Sequence, residues 1–80
     1  MPVTYKKTVA VFEGVCTVEE AETMLAWLQD HPKARVNLKR CEHIHAALLQ
    51  VLMATGVAVS AWPEDEALAS WLKTALQLAS

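Results

Sequence analysis

The pattern of apolar and polar positions along the chain alternates between short β-rich runs and amphipathic segments. Residues 8–12 read TVAVF, whose β-branched and aromatic side chains predict a central strand that is ended by Glu13-Gly14. Val3–Tyr5 is a candidate for a short edge strand ahead of it. Residues 34–38, ARVNL, and residues 57–61, VAVSA, predict two further strands. We therefore expect three principal strands and one edge strand.

Three helical segments follow the principal strands. Thr17 and Glu20 have the spacing of a capping box, in which a hydroxyl and a carboxylate satisfy free amides at a helix start. The first apolar face comprises Val18, Ala21, Met24, Leu25 and Leu28. Residues 45–55 predict a helix that is apolar nearly all round, so we expect it to be buried on most sides before Gly56 caps it. The last helix follows the acids at residues 64–66 and has an apolar face of Ala67, Leu68, Trp71, Leu72, Ala75 and Leu76.

This order of elements predicts a single α/β domain that spans residues 1–80. Right-handed crossovers between strand and strand make the principal strands mostly parallel and place helices over the sheet. We expect a small open sheet of three or four strands, mixed or mostly parallel, with three helices in the order β-α-β-α-β-α. Because three helices leave one sheet face partly bare, that face would suit a homodimer or another protein partner.

Composition and charge narrow the setting of this domain. The chain is 54% hydrophobic and 20% charged, which excludes a disordered chain, and its net charge of −2 gives no basic excess for nucleic-acid binding. No apolar stretch approaches the roughly 18 residues of a membrane span, and the N-terminal MPVTYKK lacks the apolar core of a signal peptide. Two cysteines allow at most one disulfide, so we expect reduced thiols and a cytoplasmic location.

The densest group of chemistry-bearing side chains is formed by Cys41, His43 and His45, which the pattern places in the loop before the buried helix. Such loops, at the carboxyl ends of the strands, form the usual functional rim of an open α/β sheet. Cys16 is expected in the matching loop after the first principal strand. Cys16, Cys41, His43 and His45 together would offer a mixed thiolate and imidazole zinc site. Cys41 with either histidine would offer a thiolate and imidazolium pair, whereas the structural alternative is that both histidines cap or hydrogen-bond the helix start.

The remaining polar residues favour no enzyme. The only glycines are Gly14 and Gly56, so the chain lacks a glycine-rich phosphate loop, and we assign no catalytic residue and no cofactor. The basic side chains near the second strand are expected to be solvated strand ends or a patch for an acidic partner, and they are Lys33, Arg35, Lys39 and Arg40. Trp27 lies off the apolar stripe of its helix and is the best candidate for an exposed partner contact.

Residues 36–52, VNLKRCEHIHAALLQVL, resemble the central motif of STAS domains of the anti-sigma-factor antagonist type. In that family a strand ending in V-D-L is followed by a short loop, the sequence D-S-S-G-L and an apolar helix. Aligned on the strand and the helix, Asn37 stands at the strand Asp and His45 at the loop Asp, while Ala46 and Ala47 stand at the two serines.

The departures from the family motif bear on its regulation. Ala47 replaces the serine whose phosphorylation switches partner binding in the antagonists, and neither it nor Ala46 carries a hydroxyl. Leu48 stands in place of the motif glycine, and the chain is shorter than a full STAS domain, so we expect the final strand of the family to be absent. The resemblance therefore implies a minimal STAS-like domain without a phosphoserine switch.

The function that the resemblance implies is a non-enzymatic protein-interaction module of bacterial cytoplasmic signalling. Its partner would be a signalling kinase or an anti-sigma-type regulator, docked at the loop and the start of the buried helix. The expected partner-binding residues are Cys41, His43, His45, Ala46 and Ala47. The alternative is a small zinc-binding or thiol-dependent protein that uses the cluster of Cys41, His43 and His45.

Overall fold

The computed structural model describes the backbone of residues 3–79 and the side chains of residues 3–76. The elements within this range are β1 (Val3–Tyr5), β2 (Val9–Cys16), α1 (Ala21–Asp30), β3 (Arg35–Ile44), α2 (Ala46–Thr55), β4 (Ala58–Ala61) and α3 (Glu66–Ala79). The predicted α/β class, with an open mixed sheet and three α-helices in the described range, is confirmed. Among these residues, no helix has both the length and the apolar character needed to cross a membrane. The prediction that the N-terminal MPVTYKK is not a signal peptide rests in part on Met1 and Pro2, which lie outside the described residues.

The four strands lie in the sheet in their chain order, β1-β2-β3-β4. The edge strand β1 is antiparallel to β2, whereas β2, β3 and β4 are parallel to one another. Both crossovers advance in the same direction across the sheet, so right-handed connections place α1 and α2 over the same face. In agreement with this, α1 packs against α2, and α2 packs against α3. The opposite sheet face stays partly exposed, as predicted, and it presents Val11, Arg35 and Asn37.

The core lies between the inward face of the sheet and this helical layer. Its largest side chains, all with less than 2% of their surface exposed, include Phe12, Met24, Leu38, Ile44, Leu48, Leu52 and Leu72. Removing each such side chain from water contributes about 1.5–3 kcal/mol before entropy is counted. The core therefore draws on strands β2 and β3 and on all three helices.

The prediction that α2 would be buried on most sides is confirmed. Leu48, Leu49 and Leu52 are buried, and Val51 and Met53 are half-buried and pack against the core. Within the helix, one narrow stripe is exposed, and it consists of Ala46, Gln50 and Ala54.

Strands β2 and β3 both continue beyond their predicted ends. β2 runs through Gly14 to Cys16 instead of stopping at Glu13-Gly14, and β3 covers ten residues, Arg35–Ile44, instead of residues 34–38. As a result, Cys41 and His43 lie in a strand and not in the connecting loop.

Bulges in the ladder between β2 and β3 explain this error. From Asn37 to Arg40 β3 advances by one residue more than β2 does, and the same happens between Cys41 and His43. Each extra residue breaks the two-residue alternation of buried and exposed side chains. As a result, β3 contains two places where neighbouring residues are both exposed, Lys39-Arg40 and Glu42-His43. Opposite them, Gly14 adopts a left-handed φ of 65°, which other residues adopt only under strain.

The helix termini agree with the sequence in part. Gly56 caps α2 in the left-handed conformation, with a φ of 64°, as predicted. The capping box at Thr17 is wrong, because its side chain makes no capping hydrogen bond and the chain enters α1 through a 3-10 turn, Val18–Glu20. At the start of α3, one carboxylate oxygen of Asp65 accepts hydrogen bonds from the backbone amides of Ala67 and Leu68, at 2.9 and 3.1 Å.

Candidate functional site

The structure divides the five predicted partner-binding residues between surface and core. His43, His45 and Ala46 are exposed and Ala47 is half-buried, whereas the side chain of Cys41 points inward and is only 3% exposed. An accessible binding surface can therefore include the histidines and the start of α2, but not the thiol of Cys41.

His45 joins the end of β2 to the start of α2. Its backbone amide donates to the carbonyl oxygen of Cys16 at 3.0 Å, and its ring Nδ1 accepts from the backbone amide of Ala47 at 3.0 Å. An accepting Nδ1 places the proton of the neutral ring on Nε2, which faces away from the helix amides. The structural alternative, a helix-capping histidine, is thus confirmed for His45, while His43 lies in β3.

Two exposed aliphatic side chains, Val15 and Val18, lie at and just beyond the end of β2. The prediction that Val18 belongs to the apolar face of the first helix is wrong, because its side chain is exposed in the 3-10 turn. Val15 and Val18 are 56% and 51% exposed, and Val15 is the register partner of His43 across the ladder. The 3-10 turn that carries Val18 packs against α2. We refer to Val15, Val18, His43, His45 and Ala46 as the rim surface. If β2 is continued past Gly14, the alternation of side chains along the strand predicts that Val15 faces outward.

The two cysteines meet beneath this surface. Cys16 is the last residue of β2 and is fully buried, and Cys41 lies on the neighbouring strand β3. Their side chains hydrogen-bond to each other, and no disulfide bond joins them. The Cys41 thiol also lies 3.4 Å from the backbone carbonyl oxygen of His43, to which it donates when it is protonated.

The contact between the thiols separates their acidities. The pKa of Cys41 is lowered chiefly by the side-chain hydrogen bond with Cys16, against the opposing effect of burial. The pKa of Cys16 is strongly raised, because that shared hydrogen bond and burial both favour its protonated form. The pair therefore gives up its first proton at Cys41.

The proposed zinc ligands are not gathered in one place. Cys16 and Cys41 point into the core, whereas His43 and His45 are exposed. Across residues 3–76, no group of three or more histidine, cysteine, aspartate or glutamate side chains is arranged so that it could hold a metal ion.

Cavities open at two separate places among the residues that the structure describes. One, of about 490 Å³, is lined by Lys39, Arg40, Cys41, Glu42, Glu64 and Asp65. The other, of about 610 Å³, lies where α1 and α2 end, and its lining includes His31, Lys33, Arg35 and Thr55. The four basic residues near β3 are thus split between two cavities and do not form one patch.

The prediction of an exposed Trp27 is wrong. Its ring is half-buried, with its centroid 5.2 Å from that of Tyr5, and it stacks on His31 at 4.5 Å. Trp71 on α3 is instead the exposed tryptophan, with 49% of its surface accessible. Trp62 is half-buried, and the Lys73 ammonium lies 5.5 Å from its ring centroid.

A comparison of the chain with models of protein families finds no match, and a comparison with curated proteins finds no relative. The resemblance to STAS domains therefore stays a prediction from the motif at residues 36–52.

Proposed function

We propose that the protein is a non-enzymatic interaction module that docks a protein partner through the rim surface. The single observation that carries this proposal is the exposure of Val15 beside its exposed register partner His43, with the exposed Val18 two residues beyond the end of β2. Exposed apolar side chains that are grouped and bordered by polar ones are typical of interaction sites.

The chemistry of the rim surface favours a protein partner. The two valines offer apolar area that a partner removes from water, and the imidazoles of His43 and His45 offer hydrogen-bonding groups next to it. Ala46 carries only a methyl group, so a partner backbone can approach the first turn of α2 closely. His45 serves both as helix cap and as surface, which fixes the orientation of its ring.

The setting that we propose follows the STAS resemblance. It is cytoplasmic signalling in a bacterium, with a signalling kinase or an anti-sigma-type regulator as the partner. Ala46 and Ala47 occupy the positions of the family serines, so docking does not depend on phosphorylation there. A second copy of the chain is the competing occupant of the same surface.

The test is affinity capture of cell extract on the immobilised protein, with each captured protein quantified by mass spectrometry. Two rim variants are compared with the unchanged chain: Val15→Lys, and His43→Ala combined with His45→Ser, in which the serine hydroxyl retains the helix cap. A control variant, Gln29→Ala with Lys33→Ala, changes the cavity at the other end of the helices. All variants are first shown to be folded by circular dichroism.

We expect both rim variants to reduce recovery of a specific partner by about tenfold or more, which corresponds to about 1.4 kcal/mol of binding free energy. The control variant is expected to retain full recovery. Equal recovery by all variants would refute the rim assignment. Sedimentation velocity on the purified chain distinguishes a second copy, which would form a dimer that the rim variants dissociate.

A further inference from the structure

Cys16 and Cys41 form a buried dithiol that the docking proposal does not use. They belong to adjacent strands, and both side chains lie on the inward face of the sheet. Their ladder positions, Gly14 opposite Cys41 and Cys16 opposite Ile44, flank one of the bulges, so the local ladder is irregular. Two positions along the same face of the ladder separate Cys16 from Gly14, the partner of Cys41, so the two side chains are neighbours in the core.

The two thiols differ in access. Cys41 lines the cavity of about 490 Å³ and is 3% exposed, whereas Cys16 has no exposed surface and is not among the lining residues. Of the two cysteines, Cys41 is therefore the one that a small molecule in this cavity approaches.

We propose that Cys16 and Cys41 constitute a hydroperoxide-reactive site, with Cys41 as the attacking thiolate and Cys16 as the resolving thiol. The cavity lining supports a small neutral oxidant over an anionic one such as oxidised glutathione. Its charged residues are two cations, Lys39 and Arg40, and three anions, Glu42, Glu64 and Asp65.

The electrostatics of the pair support the role of Cys41. The thiolate is the form of cysteine that attacks a peroxide, and the lowered pKa of Cys41 increases its thiolate fraction. The pKa of Cys16 is raised, so this thiol keeps its proton until it resolves the sulfenic acid.

The reaction has two balanced steps. In the first, the Cys41 thiolate attacks one oxygen of hydrogen peroxide, the O–O bond breaks, and hydroxide leaves while Cys41 becomes a sulfenic acid. In the second, the Cys16 sulfur attacks the Cys41 sulfur, the S–O bond breaks, and a disulfide forms. The displaced hydroxide takes the Cys16 proton as water. Overall, the two thiols lose two electrons to one hydrogen peroxide. The hydroxide released in the first step takes up the proton that Cys41 lost on ionisation, so two waters form in all.

The experiment uses the reduced full chain with one equivalent of hydrogen peroxide near neutral pH, without denaturant. We expect loss of both thiols, a mass lower by two hydrogen atoms and reversal by dithiothreitol. In the Cys16→Ala variant, the sulfenic acid on Cys41 is expected to persist and to give one dimedone adduct per chain. The Cys41→Ala variant should give no adduct.

These measurements can overturn the proposal without relying on the variants, which keeps it testable if either fails to fold. Thiols of the unchanged chain that react only after unfolding in guanidinium would refute it. Formation of disulfide-linked dimers, or oxygen addition without an internal disulfide, would refute it as well. Circular dichroism of the oxidised chain must show that the fold is intact during the reaction.

Discussion

Tyr5 carries a polar atom that the fold leaves unsatisfied. Its ring packs against Trp27, and its hydroxyl is buried without a hydrogen-bond partner. Burial raises the pKa of Tyr5 to about 12, and the negative charge of Glu20 adds to the effect. A buried hydroxyl without a partner costs stability, whereas the ring itself contributes apolar area.

We predict that Tyr5→Phe leaves the free energy of unfolding unchanged or raises it by up to about 1 kcal/mol, because it removes only the unsatisfied hydroxyl. The effect should grow with pH. The unfolded chain ionises Tyr5 near pH 10, whereas the folded chain keeps the proton until about pH 12, so the unfolded state binds fewer protons in this window. The stability of the unchanged chain therefore falls between these pH values by an increment that the variant lacks.

Urea titrations of both proteins at several pH values between about 8 and 11 measure this increment as a difference. Deprotonation of lysines affects both proteins alike, so it cancels. A Tyr5→Phe variant that loses more than about 1 kcal/mol at neutral pH would show that the hydroxyl has a partner.

The stability of helix α2 depends on its N-cap residue, His45. The ring of His45 satisfies the amide of Ala47, one of the four that an α-helix leaves free at its start. We predict that His45→Ala lowers the free energy of unfolding by about 1 kcal/mol. His45→Asp should keep the stability near that of the unchanged chain, since aspartate caps well and its charge is favourable there.

The matched control is His43→Ala, which removes an exposed imidazole from a strand and should cost less than about 0.5 kcal/mol. Urea unfolding monitored by tryptophan fluorescence gives all three values. The capping role would be contradicted if His43→Ala and His45→Ala were equally stable.

Elements whose local pattern agrees with their environment were predictable from the sequence. The apolar run at residues 45–55 followed by Gly56 predicts α2 with its correct cap, because both signals are local. The end of β3 was not predictable in this way. Its bulges place Lys39-Arg40 and Glu42-His43 as exposed pairs, and consecutive polar residues are typical of a loop.

The candidate site was also predictable only where local signals determine it. His45 and Ala46 were placed correctly, since the boundary of α2 determines their positions. Val15 was not singled out and Val18 was wrongly predicted on an apolar helix face, because their exposure depends on which elements cover the ends of β2 and α1. Local spacing also gave no indication that Cys41 would turn inward toward Cys16, which follows from strand pairing across distant parts of the chain.

Across the whole molecule, both proposals fall on the carboxyl end of the central pair of parallel strands. The rim surface lies outside this end and the dithiol lies beneath it, joined by the hydrogen bond from His45 to the backbone of Cys16. The opposite ends of β2 and β3 carry the regular part of their ladder, because Val9–Val11 pair with residues 35–37 without a register shift and Ala10 and Val36 there have no exposed surface. We therefore expect local stability to be highest in that half of the sheet.

Native-state hydrogen exchange tests this distribution of local stability. We predict that the slowest-exchanging amides lie in β2 and β3, because these strands are paired on both sides and packed beneath the helices. The three-residue β1 and the four-residue β4 are edge strands and should exchange faster. Exchange in β4 that slows as protein concentration rises would show that a second copy covers that edge. Exchange that is slow in β4 and independent of concentration would contradict the predicted order of local stability.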